Sequence, residues 1–67
     1  MIETIKIDRK QWDCINKIGF VFVEKTIIAD VPEGNMVKII PSPRSGEYSI
    51  LGKITAIDPD KAVINKI

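Results

Sequence analysis

Along Ile2–Ile7 the apolar positions alternate: Ile5 and Ile7 share one side, Thr4 and Lys6 the other. A period of two predicts a strand. At Asp8 the pattern changes. An aspartate before an amphipathic run accepts a hydrogen bond from a free first-turn amide, and Gln11 three residues later completes a capping box. Ile7 and Trp12 occupy the two positions of a hydrophobic staple. Trp12, Ile15 and Ile18 then recur at helical spacing while Asp13, Asn16 and Lys17 face water. Gly19 supplies the left-handed cap. The pattern predicts a helix over Arg9–Ile18, with Trp12, Ile15 and Ile18 facing inward.

The next ten residues, Phe20–Ala29, are rich in β-branched and aromatic side chains and predict a second strand. Both faces are apolar at its start, so both are expected to be covered there. Val31–Asn35 reads as a turn, with Pro32 presetting one dihedral and Gly34 or Asn35 supplying a positive one. Met36–Ile40 is a third strand; if Val37 and Ile39 are core, Met36 and Ile40 point out, the alternative being a sheet buried on both faces. Pro41–Gly46 holds two prolines and a glycine and is expected to lie outside any sheet. Tyr48–Ile57 predicts the longest strand, where Gly52 suggests a bulge or a close backbone approach. Asp58-Pro59-Asp60-Lys61 closes a hairpin onto Ala62–Ile67. The expected order is βαββββ. It gives an α+β, mainly β fold: a small, bent, antiparallel five-stranded sheet or partly open barrel, with one helix in its N-terminal half plugging an open end.

Sixty-seven residues with no repeat or linker make a single domain, 1–67, with a thin core. The one cysteine, Cys14, rules out an internal disulfide, reads as a buried helix residue, and fits a reducing, cytoplasmic setting. No apolar run is long enough to span a membrane, and the first ten residues lack a signal-peptide layout. Net charge is +1, so any charged patch is local.

With no histidine and a single cysteine, the sequence offers no zinc site and lacks the commonest general base. No phosphate-binding glycine loop or nucleophile elbow occurs. Asp58 and Asp60 are ordinary turn chemistry. The reading is therefore a non-enzyme without cofactor or metal; the strongest catalytic pair it offers is Glu24 with Lys53. Two binding surfaces compete. Lys38, Arg44, Lys53 and Lys66 form a basic set in the second half, with Tyr48 placed to stack a base; these are the expected nucleic-acid contacts. Alternatively, Met36, Ile40 and Leu51 form an apolar strand face for a protein partner or a second copy, as in a small phage- or plasmid-encoded interaction or inhibitor module.

The order of motifs resembles the ASCH domains of the PUA-like superfamily. The strand Ile5-Lys6-Ile7 enters a helix running from Trp12 to Gly19, and Phe22-Val23-Glu24 follows. Val31-Pro32-Glu33-Gly34-Asn35-Met36-Val37 and Gly52-Lys53-Ile54-Thr55-Ala56-Ile57 occupy the later positions. Asn35 replaces the usual aspartate. Phe20-Val21-Phe22 replaces the Lys-Thr that follows the glycine, so the acetylcytidine hydrolysis of some members is not implied. The resemblance implies a bent barrel whose cleft binds RNA or a nucleobase-like ligand. An SH3-like barrel fits the same pattern.

Overall fold

The computed structural model describes residues 2–42 and 49–67. Five strands and two helices follow in the order β1 (Glu3–Asp8), α1 (Arg9–Ile18), β2 (Phe20–Glu24), α2 (Lys25–Ile28), β3 (Met36–Ser42), β4 (Ile50–Ile57) and β5 (Lys61–Lys66). The strands form one sheet in the spatial order β1-β3-β4-β5-β2, curled into a half-barrel. It is mixed rather than wholly antiparallel. β1 runs parallel to β3, whereas β3–β4, β4–β5 and β5–β2 are antiparallel. A helix between β1 and β2 lets the chain reach the far edge of the sheet before it returns to lie beside β1.

The concave face is aliphatic. Ile5, Ile7, Val21, Val23, Val37, Ile39, Ile54, Ala62 and Ile64 alternate inward along the strands and are all buried. Trp12 and Ile15 from α1 and Ile28 from α2 complete the core, which contains no polar or charged side chain among the described residues. Helix α1 starts as its sequence requires. Gln11 N donates to Asp8 Oδ1 at 2.7 Å, Asp8 N donates to Gln11 Oε1 at 3.1 Å, and Gly19 ends the helix at φ 99°. Ile18 points to solvent instead of inward, 63% exposed. Residues at i, i+3 and i+6 drift about 60° per step around a helix of 3.6 residues per turn, so the third leaves the buried stripe.

Helix α1 also protects an edge. Gln11 Nε2 donates to the Phe22 carbonyl at 3.0 Å and the half-buried Cys14 Sγ to the Phe20 carbonyl at 3.4 Å, both on edge strand β2. Those carbonyls would otherwise be open to another strand.

The second strand is half the expected length. β2 stops at Glu24 because its partner β5 begins at Lys61, opposite Glu24, and no ladder exists beyond it. The chain turns instead through α2, a single helical turn that buries Ile28 and ends at Ala29 with φ 52°. The third strand is longer than expected. Pro41 belongs to β3, buried and opposite Ile7. Pairing with β4 ends at Ile39–Ile50. Asn35 bonds toward β4 through its carbonyl, so by alternation Pro41 directs its missing N–H to that same side, where no described strand faces it. Ser42 also belongs to β3, opposite Asp8, and Pro43–Gly46 of the expected loop lie outside the described residues.

Gly52 is the close approach, not the bulge. A Cβ there would sit 2.7 Å from Ile64 Cγ2 and 2.8 Å from Ile39 Cδ1. The register shift falls between Ile54 and Ala56.

Candidate nucleic-acid interface

Strand alternation assigns the convex face. It carries Thr4 and Lys6 from β1, Met36, Lys38 and Ile40 from β3, and Leu51, Lys53 and Thr55 from β4. Val63 and Asn65 come from β5, and Phe20 and Phe22 from β2. Register orders them into rows. Phe20 lies opposite Asn65, Asn65 opposite Lys53, and Lys53 opposite Met36. The next row holds Leu51, Lys38 and Thr4, and the one beyond it Ile40 and Lys6. Lys53, Lys38 and Lys6 therefore step diagonally across three neighbouring strands, about 7–8 Å between residues at the diagonal β3–β4 step.

The two surfaces expected to compete are one surface. Met36 and Leu51 are 40% and 42% exposed, and each sits directly across from a lysine of the set, Lys53 and Lys38 respectively. Ile40 is half-buried beside Lys6. Among the described residues the acids stand outside this block. Asp8 at the end of β1 is engaged in the helix cap, and Glu24 at the end of β2 lies opposite Lys61. Lys66 does not join the face. It lies opposite the inward-facing Gly52, in the phase of Ile64, and is exposed at the sheet's end with its amide bonded to the Gly19 carbonyl. Arg44 and Tyr48 lie outside the described residues.

Phe20 and Phe22 correct the expectation that β2 is covered on both sides. They are the chain's two phenylalanines, and they lie on the open face, 36% and 55% exposed. Their rings meet edge to face, with centroids 5.8 Å apart and an interplanar angle of 89°. Phenylalanine is ordinarily among the most buried residue types. The signal available in the sequence was the doubly apolar start of the strand; which residues took the open face follows from their register with β5.

Beside Phe20, Asn65 Nδ2 donates to Thr55 Oγ1 at 2.6 Å, and Thr55 Oγ1 donates to the Val63 carbonyl at 3.4 Å. The hydroxyl proton is committed to the carbonyl, so the amide presents its NH2 to Thr55 and its oxygen points away.

The structure does not bring Glu24 and Lys53 together. They lie opposite Lys61 and Asn65, four residues apart along β5, which is about 13 Å. Glu24 instead borders a cleft of about 620 Å³ with Lys25, Asp30, Asp60 and Lys61. Among the described residues no cluster of three or more acidic, cysteine or histidine side chains is arranged to hold a metal. No described helix is long and apolar enough to cross a membrane.

The fold and its open face define a class: a small curled-sheet domain with one sealed face and one cationic, aromatic face. No family model, no curated protein and no solved structure matches the chain.

Proposed function

We propose that this domain is a non-catalytic, cytoplasmic nucleic-acid-binding module whose ligand is RNA. The carrying observation is that Lys6, Lys38 and Lys53 converge on one sheet face with no carboxylate, among the described residues, in the block between them. Three like charges this close repel one another in the free protein, and a phosphate backbone relieves that repulsion while releasing its counterions. The choice of RNA follows the resemblance of the motif order in the sequence to PUA-like domains. Lys38 and Lys53 are retained from the expected basic set, and Lys6 joins them.

Filter binding of single-stranded RNA across a salt series tests the reading. Three phosphate contacts give a slope of about −2 in log K against log salt, so affinity falls roughly 15–20-fold between 50 and 200 mM. The double substitution Lys38→Ala/Lys53→Ala lowers the slope to about −0.7. Absence of binding at micromolar protein, or binding indifferent to salt, contradicts it.

The exposed Met36, Leu51 and Phe22 favour a second reading, in which the same face meets a protein partner or a second copy. Light scattering separates the self-association form, because a dimer through this face masks the lysines and a monomer leaves them open.

A further inference from the structure

Resting on the nucleic-acid reading, we infer that the ligand is single-stranded and crosses the sheet rather than lying along a strand, its bases stacked on Phe22 and Phe20 and its backbone carried away over Lys53, Lys38 and Lys6.

Three observations converge. First, the track is continuous. Each of the five strands contributes one outward residue, in spatial order Phe20 on β2, Asn65 on β5, Lys53 on β4, Lys38 on β3 and Lys6 on β1. Two direct and two diagonal strand steps make this about 25 Å measured over the sheet, enough for several nucleotides of an extended strand. Second, the two ends of the track differ in chemistry. The β2 end offers ring faces and edges, the β3–β1 end ammonium groups. A duplex hides its base faces and offers only phosphate and groove edges, so the phenylalanine end has nothing to stack on in a duplex. An unpaired strand presents both. Third, Asn65 stands between the two ends with its NH2 fixed on Thr55, leaving its amide oxygen to accept a hydrogen bond from the edge of a base lodged against Phe20.

A protein ligand is the poorer fit. The core of a protein interface is depleted in charge, whereas here every exposed aliphatic side chain in the middle of the face has a lysine directly opposite it.

The test is fluorescence anisotropy with a labelled RNA of about 10 nucleotides and mixed sequence, compared with the same strand annealed to its complement. The variants are Phe22→Leu, which keeps apolar bulk and removes the ring, Phe22→Trp, which keeps a ring, and Ile18→Ala, which removes an equally exposed apolar side chain from the helix. The expected result is that the wild type prefers the single strand over the duplex by at least about tenfold. Phe22→Leu loses at least about fivefold for the single strand and nothing for the duplex, as expected for one base stack. Phe22→Trp and Ile18→Ala bind as wild type does. Equal affinity for duplex and single strand, or a Phe22→Leu protein indistinguishable from wild type, overturns the stacking inference. If Lys38→Ala/Lys53→Ala still loses salt-sensitive binding in that case, the nucleic-acid reading survives it. Failure of the wild type to bind either RNA removes both. A wild-type dimer that Phe22→Leu or Leu51→Ala converts to monomer assigns the face to a second copy and also overturns the inference.

Discussion

The two faces of the sheet are made from alternate residues of the same strands, yet they follow different rules. On the concave face, Val37, Ile39, Ile54 and Ile64 are wholly buried, and Gly52 is present because Ile39 and Ile64 leave no space for a side chain. On the convex face, one residue along, stand Lys38, Lys53 and Asn65, with the two exposed phenylalanines flanking buried Val21 on β2. The core excludes both phenylalanines and is filled by β-branched aliphatics, Trp12 and Ala62. The comparison teaches that stability is concentrated on one face. The other face is therefore under little constraint from folding.

Matched substitutions on the two faces test the difference between them. The largest effect is expected in β4, where Ile54 and Leu51 lie three positions apart on opposite faces. Ile54→Ala is expected to destabilise by about 3 kcal/mol and Leu51→Ala by less than about 1 kcal/mol, measured by urea unfolding. Equal losses would mean that the convex face is also core. Next comes Gly52→Ala. The added carbon meets branched side chains of Ile64 and Ile39 and, at 3.1 Å, the Asn65 carbonyl, none of which yields easily. A loss of about 2 kcal/mol is expected, and a neutral result would show that the concave face has room to spare. The smallest concerns neither face. Asp8→Ala removes the cap of α1 and is expected to lower the thermal midpoint by an amount equivalent to about 1 kcal/mol, with RNA affinity unchanged.

Much of the concave face was legible in the sequence. The Ile5/Ile7 and Val37/Ile39 alternations, the Asp8–Gln11 box and the Gly19 stop are local signals, and local geometry decides them. Three features depended on distant partners. Glu24 ends β2 because β5 begins opposite it, and Pro41 stays in β3 because pairing with β4 has already ended. β1 lies parallel to β3 because of how the whole chain winds. Ile18 failed for another reason, since a spacing of three is not the period of a helix. On the convex face, Lys38, Lys53, Met36, Ile40 and Leu51 were each identified, but as rival surfaces. Only register shows them to be one, because pairing across strands is invisible to periodicity within a strand. The same gap hid Phe20 and Phe22, whose outward side follows from their pairing with Asn65 and Val63 of β5. It also misplaced Lys66, whose side is set by its pairing with Gly52.

The most direct test of an open, ligand-binding convex face is an NMR titration of the isotope-labelled domain with single-stranded RNA, following backbone amide shifts. The account predicts salt-sensitive perturbations at Phe20, Phe22, Lys38, Lys53 and Asn65, with α1 from Asp13 to Lys17 unmoved. Perturbations confined to α1 or to the cleft around Glu24 and Asp60, with the convex strands silent, would contradict it.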